Sequence, residues 1–330
     1  MKSKRYMQRI SLWFRFCMLG LGVIEHKFSL MQIFHGEFME QIQIKAHAKI
    51  NLAIDVLSRR PDGYHNLRMV MQSLAFHDTL VITKSPECAV TLACDSPRVP
   101  SDKSNLAHRA AEKMIETYSL RTGVHIEIRK IIPVAAGLAG GSSNAAAVLN
   151  GMNALFRLGL AKDELAAVGK GIGADVPYCV FGGTMLAEGV GDILAPLSPH
   201  PRVSVVLAKP PIEVSTAQVF RDFSQTRVAP DIRPDISSIM SGLDLSDIRE
   251  ISRGISTGMA NVLESVTAAA YPVIDDIKAS LLRHGAECAI MSGSGPTVFA
   301  YFIDEEYAVA AARSVRREIP SIDEIFVTSI

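Results

Sequence analysis

Residues 132–147 read Ile-Pro-Val-Ala-Ala-Gly-Leu-Ala-Gly-Gly-Ser-Ser-Asn-Ala-Ala-Ala, between an alternating strand and a helix predicted from about Ser142 to Arg157. Three glycines, Gly137, Gly140 and Gly141, allow positive φ angles and a close approach of a ligand to the backbone. The first N–H groups of a helix lack intrahelical partners and favour a bound anion. The stretch therefore predicts a phosphate-binding loop. An ordinary strand–turn–helix with small packing residues is the alternative.

Other nucleotide loops do not fit this stretch. The chain lacks the pattern G-x-x-x-x-G-K-[ST], and it lacks a Rossmann G-x-G-x-x-G with an acidic residue on the next strand. We expect phosphate contacts along the whole loop, from Pro133, Val134, Ala135, Ala136, Gly137, Leu138, Ala139, Gly140, Gly141, Ser142 and Ser143. The two serine hydroxyls can also bind phosphate oxygens, and Ser142 is a candidate ligand for Mg²⁺.

Composition limits the partners and the compartment. The 330 residues suggest about two domains, and 48% hydrophobic residues suffice for a sizeable core. With 34 basic and 34 acidic residues the net charge is zero, so no broad basic field for nucleic acid is expected. Cys17, Cys88, Cys94, Cys179 and Cys288 form no C-x-x-C pair, which favours reduced thiols in a cytoplasmic protein over disulfides or zinc.

The pattern along the chain alternates strands and helices. Period-two alternation predicts a strand from Gln41, two strands at residues 69–74 and 79–83, and a buried strand pair over residues 176–186. One helix is predicted over residues 258–270. Pro196, Pro199 and Pro201 mark a predicted domain boundary.

The first 38 residues have the outline of a signal peptide, with basic residues before an apolar stretch at residues 12–24. Arg15 interrupts that stretch, no small-residue cleavage pattern follows, and the stretch is too short to span a bilayer. We expect the domain to begin near Met39, with the upstream part a tail or the product of a translation start placed too early.

Four segments together resemble the GHMP kinases. The loop contains Pro-x-x-x-Gly-Leu-x-x-Gly-Ser-Ser, the central motif of that family. Residues 48–52 and 60–65, Ala-Lys-Ile-Asn-Leu and Arg-Pro-Asp-Gly-Tyr-His, resemble the N-terminal signature of a branch with a cytidine-diphosphate-linked substrate. Residues 173–177 resemble the catalytic aspartate segment, and residues 292–297 the third motif. The resemblance runs from about Met39 to the C-terminus.

The resemblance implies an α+β, two-domain GHMP kinase fold. An α/β ATP-binding and catalytic domain at residues 39–195 would carry the glycine-rich phosphate loop, and a ferredoxin-like α+β substrate domain would follow at residues 196–330. It implies ATP and Mg²⁺ as cofactors and phosphorylation of the 2-hydroxyl of a cytidyl-diphosphate methylerythritol in the non-mevalonate isoprenoid route. No nucleic acid or membrane partner is expected, and the protein would be a monomer or weak homodimer.

Two residues are candidates for the chemistry. Asp175 lies between glycine-containing and apolar segments, at an element edge where its side chain can face a cleft; a turn aspartate is the alternative. Lys49 lies in an apolar strand, where a buried cation requires a partner such as Asp175; a solvent-facing lysine is the alternative. The resemblance implies that both are catalytic, with Asp175 as the base. The family usually has proline where this chain has His47.

The resemblance also implies the remaining contacts. Tyr64 and His65 would contact a cytosine with Phe220 stacked on its other face, and Asn51 and Thr216 would line the same cleft. Lys130 and Asn105 match positions near the adenine and ribose, although Asn105 is equally a helix cap. A supporting loop would consist of Gly293, Ser294 and Gly295, for which a hairpin turn is the alternative. The alternative for Tyr64 and His65 is a role in closing a turn, and the alternative for Phe220 is a place in the core.

Two other functions are open at this point. One is a GHMP kinase for homoserine or mevalonate, which would lack the cytosine site. The other is a non-catalytic nucleotide- or RNA-binding protein on the same fold, which predicts loss of Lys49 or Asp175, or a basic face.

Overall fold

Two β-sheets organise the described part of the chain, which comprises residues 40–224, 232–245 and 247–330 of a computed structural model. The predicted N-terminal extension, residues 1–38, lies outside these ranges. Residues 40–330 form one compact unit. The larger sheet has seven strands and the smaller has four.

The larger sheet is built around one long antiparallel pair. Its strands are β1 (Gln41–Arg59), β2 (His65–Ser85), β3 (Val90–Cys94), β4 (Gly123–Arg129), β5 (Thr184–Gly189), β6 (Ile193–Pro196) and β8 (Ala260–Asn261). The order is β3-β4-β2-β1-β8, and β5 pairs with both β2 and β6. Gly63, at φ 87°, closes the turn between β1 and β2, a conformation that glycine adopts without a Cβ clash.

Four helices accompany this part of the chain: α1 (Leu106–Thr117), α2 (Gly140–Leu155), α3 (Lys162–Lys170) and α4 (Val176–Phe181). Helix α2 packs against β1 and β2 because its facing side is made of small residues. A Cβ at Gly151 would stand only 2.6 Å from Cδ1 of Ile82, so the helix approaches the sheet closely at that point. Close packing holds the N-terminus of α2 in a fixed place.

The smaller sheet has a ferredoxin-like strand order. Its strands are β7 (Ser204–Lys209), β9 (Cys288–Met291), β10 (Val298–Phe302) and β11 (Glu324–Ser329), in the order β11-β7-β10-β9 with antiparallel neighbours. This is the order of a β-α-β-β-α-β unit. The helices of this part are α5 (Thr216–Phe223), α6 (Ile236–Leu243), α7 (Ile248–Gly258), α8 (Glu264–Ala270), α9 (Val273–Arg283) and α10 (Glu305–Glu318).

The two sheets share an aliphatic core. Ile50 and Leu52 of β1 are fully buried in the same cluster as Leu207 and Phe299 of the smaller sheet. The α+β class and the ferredoxin-like unit in the later part of the chain, both expected from the sequence, are confirmed. The division at residues 195 and 196 stays a prediction; it falls between β6 and β7, and β8 from the later segment joins the larger sheet.

Three predicted elements differ from the structure. Residues 176–186 belong to helix α4 and the start of strand β5, because Pro177 occupies the first turn of a helix that ends at Phe181 and is capped by Gly182. A short apolar run does not distinguish a buried strand from a helix. The two strands predicted at residues 69–83 are parts of the single strand β2, and the helix predicted at residues 258–270 is interrupted by β8.

Candidate active site

One cavity of about 1240 Å³ collects most of the predicted site residues. Its wall includes the phosphate-loop residues Pro133, Val134, Ala135, Ala136, Gly137, Ala139, Gly140, Gly141 and Ser142. It also includes Lys49, Asn51, Tyr64, His65, Asn105, Lys130, Asp175, Thr216, Phe220, Gly293 and Ser294. A volume above that of a single drug-sized pocket is suited to a nucleotide and a second substrate together.

The phosphate loop, residues 132–142, ends in the N-terminus of α2. Helix α2 begins at Gly140, and its first intrahelical hydrogen bond runs from the Ser143 amide to the Ala139 carbonyl at 2.8 Å. The amides of Gly140, Gly141 and Ser142 precede that bond and belong to residues of the cavity wall. Unpaired amides and the positive end of a helix dipole both favour a bound anion.

The loop has an unusual backbone. Ala135, Gly137 and Ala139 have φ angles of 54°, 75° and 55°. The left-handed region costs a non-glycine residue about 1 kcal/mol or more, so the two alanines are held there by their surroundings. At Gly137 only glycine fits, because a Cβ on this residue would stand 2.2 Å from the Ser292 carbonyl oxygen.

A second loop, residues 292–297, supports the first. The Ser292 hydroxyl donates a hydrogen bond to the Gly137 carbonyl at 3.0 Å. Asn261 in β8 donates its side-chain amide to the carbonyls of Met291 and Gly293, both at 2.8 Å. The supporting loop is therefore fixed to the larger sheet on one side and to the phosphate loop on the other.

Lys49 and Asp175 form the charged pair of the cavity. The Lys49 ammonium is 3.8 Å from the Asp175 carboxylate and donates a hydrogen bond of 2.6 Å to the Asn51 side chain. The lysine side chain is 6% exposed and the aspartate 36% exposed, so the aspartate reaches further into the cavity. A buried cation requires such partners, and the partner proposed from the sequence is the one the fold places there.

The backbone of β1 leaves the regular ladder at this point. The register between β1 and β2 shifts between His47 and Lys49, directly after the position where the family usually has proline. The Lys49 amide donates instead to the Leu138 carbonyl of the phosphate loop at 3.1 Å. This bond places the lysine beside the loop.

His65 and Phe220 form an aromatic pair at another part of the cavity wall. Their rings are stacked, with centroids 5.4 Å apart and an interplanar angle of 25°. The Ser224 hydroxyl donates to the Phe220 carbonyl at 2.9 Å, so its oxygen accepts the 2.8 Å hydrogen bond from Nε2–H of His65. Burial and the nearby Arg59 lower the pKa of His65. The neutral ring therefore presents Nδ1 as an acceptor.

The other predicted substrate residues belong to the same cavity wall. The hydroxyls of Thr216 and Ser294 are hydrogen-bonded at 2.8 Å and connect α5 to the supporting loop. Tyr64 is 67% exposed, so its ring is free to cover a ligand. The Asn51 amide group contacts Met69 Sδ at 3.7 Å, on the floor of the cavity.

Some predicted residues serve the site indirectly. Ser143 donates its hydroxyl to the His47 carbonyl, and neither Ser143, Leu138 nor Gly295 belongs to the described cavity wall. Asn105 caps α1 through the Ala107 amide at 2.9 Å. Lys130 is largely buried and pairs with Asp78 at 2.8 Å.

Sequence reasoning missed several polar wall residues, among them Ser224, Arg98, Arg221 and Arg59. Their local sequence is typical of an exposed loop or helix, and only the tertiary fold brings them to the cavity. Arg98 makes an ion pair with Glu213 at 2.5 Å across 115 positions of sequence. Sequence spacing carries no signal for such a contact.

The residues that the structure describes offer few side chains that could bind a metal ion. Within the described ranges, no group of three or more His, Cys, Asp or Glu residues could hold a metal ion. The Ser142 hydroxyl and the Asp175 carboxylate are hard oxygen donors on one cavity wall, the ligand type that Mg²⁺ prefers.

Within the part of the chain that the structure describes, no helix has the length and apolar character needed to cross a membrane.

Comparisons with known families and structures identify the fold. GHMP kinases N terminal domain matches residues 105–183, and GHMP kinases C terminal matches residues 239–321. A homoserine kinase structure from Cytophaga hutchinsonii superposes with a TM-score of 0.71 at 19% identity, over 90% of this chain and 97% of that one, which supports the fold alone. The fold is that of a GHMP kinase.

Closer relatives narrow the family. A 4-diphosphocytidyl-2-C-methyl-D-erythritol kinase of Acetivibrio thermocellus is 47% identical over 88% of this chain and 99% of the relative. The same-named protein of Geobacillus kaustophilus is 49% identical over 78% of this chain and 87% of the relative. A crystal structure of 4-(cytidine 5'-diphospho)-2C-methyl-D-erythritol kinase has a TM-score of 0.72 at 30% identity, over 87% of this chain and 98% of that one. The chain belongs to the 4-diphosphocytidyl-2-C-methyl-D-erythritol kinase family.

Proposed function

We propose that this protein transfers the γ-phosphoryl group of ATP to the 2-hydroxyl of 4-diphosphocytidyl-2-C-methyl-D-erythritol. The observation that carries the proposal is the shared cavity wall, where the start of α2 and the Lys49–Asp175 pair face the same space. Phosphoryl transfer requires positioning, charge stabilisation and a group that receives the hydroxyl proton. The cavity supplies a candidate for each.

Asp175 is the proposed general base. Its carboxylate is more exposed than its lysine partner, so an oxygen can reach a substrate hydroxyl while Lys49 stays in place. The proton moves from the 2-hydroxyl to this carboxylate as the new O–P bond forms and the bond from the γ-phosphorus to the ADP oxygen breaks. No covalent phosphoenzyme is required in this direct transfer.

Lys49 is proposed to orient Asp175 and to stabilise negative charge on the attacking oxygen. Its ammonium group is fixed by Asn51 and by the anchoring of its backbone to Leu138. Because the group is preorganised and mostly removed from water, its electrostatic effect on the transition state is larger than in bulk solvent.

The start of α2 is proposed to bind the triphosphate. The amides of Gly140, Gly141 and Ser142 act as neutral donors, so no global positive charge is needed. Mg²⁺ bound through the ATP phosphates, with Ser142 as a candidate protein ligand, would neutralise phosphate charge. Lys130 and Asn105 stay proposed residues of the nucleotide side.

The substrate side is proposed to select the cytidyl group. Phe220 and Tyr64 offer aromatic faces for the base, and neutral His65 offers an acceptor for an exocyclic amino group. A homoserine or mevalonate molecule has no base to fill this part of the cavity. We place the reaction in the cytoplasm, where ATP is available, and expect a monomer or weak homodimer.

An ADP-release assay tests the proposal. The purified protein receives ATP, Mg²⁺ and one alcohol: 4-diphosphocytidyl-2-C-methyl-D-erythritol, mevalonate or homoserine. We expect ADP formation with the cytidyl substrate and background release with the other two. Turnover of mevalonate or homoserine alone would contradict the proposed substrate, and absence of turnover with all three would contradict the kinase activity.

A further inference from the structure

Asp78 is a fully buried carboxylate with an unusually complete set of donors. Its side chain is 0% exposed. Oδ1 accepts hydrogen bonds from the amides of Ile131 at 2.7 Å and Ile132 at 2.8 Å. Oδ2 accepts from Nζ of Lys130 and from Nδ2 of Asn144, both at 2.8 Å. A charge is tolerated in the interior when its lone pairs are satisfied in this way.

The donors to Asp78 come from both ends of the phosphate loop. Ile131 and Ile132 stand where the chain enters the loop, and Asn144 is the fifth residue of α2, just after the chain leaves the loop. Lys130 adds a further link, because its ammonium also donates to the Ile132 carbonyl. A Cβ on Gly140 would stand 3.0 Å from that ammonium, so Lys130 lies directly behind the start of α2.

The loop between these anchors has a backbone that requires support. Ala135 and Ala139 both have positive φ angles, a conformation that persists only when the surroundings impose it. The supporting loop acts at the centre, on Gly137, whereas Asp78 acts at the two ends. A fixed distance between the ends is what keeps the amides of residues 140–142 directed into the cavity.

We propose that Asp78 is a positioning residue for nucleotide binding: one carboxylate holds both ends of the phosphate loop. Its burial removes it from any contact with ATP, so it acts through the loop. This inference rests on the proposed function, in which the loop binds the triphosphate. It also gives Lys130 a second role, as the cation that keeps the Asp78 carboxylate in the interior.

The decisive variant is Asp78→Asn. The amide oxygen can still accept from Ile131 and Ile132, but the amide NH₂ group would face the donors of Lys130 and Asn144. This mismatch releases the α2 end of the loop. The double variant Asp78→Asn/Asn144→Asp restores a donor–acceptor match between the two side chains and keeps one carboxylate near Lys130. Recovery of ADP affinity in the double variant is an outcome that general destabilisation does not produce.

Two further variants complete the experiment, the first as a second test and the second as the control. Asn144→Ala removes one donor from Asp78 and leaves Lys130 and the two amides, so no buried charge loses its cation. Leu281→Ala lowers stability in a core cluster that contains no phosphate-loop residue. Urea unfolding of every variant reports the stability change, and calorimetric titration with Mg²⁺–ADP reports nucleotide binding without any need for the second substrate.

We expect Asp78→Asn to weaken ADP binding about tenfold and Asn144→Ala about threefold, as loss of charge-assisted hydrogen bonds implies. The double variant should recover most of the affinity, and Leu281→Ala should retain it. The KM for the alcohol substrate should change less than about twofold in all of them, because its contacts lie elsewhere.

Folded Asp78→Asn protein with wild-type ADP affinity would overturn the inference. If that variant does not fold, wild-type affinity in Asn144→Ala would overturn it in the same way. A wild-type protein that binds no ADP would contradict the proposed function itself. If the wild type binds ADP and the variants bind it equally well, only the inference about Asp78 is contradicted.

Discussion

The Lys49 ammonium and the Asp175 carboxylate are 3.8 Å apart, although they come from β1 and from the residue that precedes α4. The distance is longer than a direct charged hydrogen bond, and the short bond of the lysine goes to Asn51. Asp175 is consequently held by charge attraction while an oxygen stays free for another donor. A substrate hydroxyl is the donor that the proposed mechanism requires.

Replacing Asp175 by asparagine tests this assignment. Asp175→Asn keeps the shape of the side chain and removes its basicity, so we expect kcat to fall by about 10² to 10⁴-fold with ADP affinity nearly unchanged. Rapid-mix measurement of ADP formation gives kcat, and titration gives the affinity. Asp163→Asn, at the exposed start of α3, is the control and should behave as wild type. Full turnover by Asp175→Asn would remove the assigned base.

Gly137 provides a steric test of the contact between the two loops. In Gly137→Ala the new Cβ would collide with the Ser292 carbonyl oxygen at 2.2 Å, at a φ angle of 75°. We expect the loops to separate and kcat/KM to fall about 100-fold, the effect of a misplacement of about 1 Å. Gly171→Ala is a matched control, because its nearest contact is Val168 O at 3.9 Å and its φ is −78°. Equal activity in the two variants would show that the loop contact has no role.

Ser224 tests the orientation of His65. Ser224→Ala removes the acceptor of Nε2–H, so the imidazole loses the partner that fixes its tautomer. We expect the KM for the cytidyl substrate to rise about three- to tenfold, the effect of one hydrogen bond, with the KM for ATP unchanged. Steady-state kinetics at saturating concentrations of each substrate in turn separate the two constants. A rise in the KM for ATP alone would contradict the placement of His65 on the substrate side.

His200 should make stability depend on pH. Its Nδ1–H donates to the Pro201 carbonyl, its Nε2 lies 3.3 Å from the Tyr301 hydroxyl, and burial lowers its pKa to about 4. The folded state thus favours the neutral ring, and the unfolded state binds a proton first as the pH falls. The stabilisation is complete above about pH 6.5 and is lost as the pH falls toward 4, with a slope of at most about 1.4 kcal/mol per pH unit.

Urea unfolding between pH 7.5 and 4.5 measures this effect. In the His200→Gln variant the free energy of unfolding should be lower at neutral pH and should decline less on acidification. The difference between the two proteins isolates His200 from His47 and His65, whose pKa values are also lowered by burial. Parallel pH curves for wild type and variant would contradict the assignment.

Local signals in the sequence predict the phosphate loop and the helix after it, because glycine conformations and helix starts depend on neighbouring residues. The structure begins α2 at Gly140, two positions before the predicted start, because Ala139 adopts the left-handed conformation. Because a buried cation needs a partner such as a carboxylate, the sequence also indicates Asp175 as a neighbour of Lys49. The catalytic roles of both stay predictions.

Other features depend on tertiary contacts that no local pattern contains. The sequence predicts a strand where the structure has helix α4, because six apolar residues fit either state and only packing decides between them. The hydrogen bond from His65 to Ser224 joins residues 159 positions apart. Asp78 reads as an ordinary polar residue between the strands predicted at residues 69–74 and 79–83, and its four donors become visible only when β2, the phosphate loop and α2 are assembled.

A crystal structure of the protein with a nonhydrolysable ATP analogue and Mg²⁺ tests the central claim most directly. Phosphate oxygens should lie about 3 Å from the backbone nitrogens of Gly141 and Ser142, with the terminal phosphoryl group facing Asp175 and Lys49. A triphosphate bound away from the start of α2, or with its terminal group directed away from this charged pair, would contradict the account.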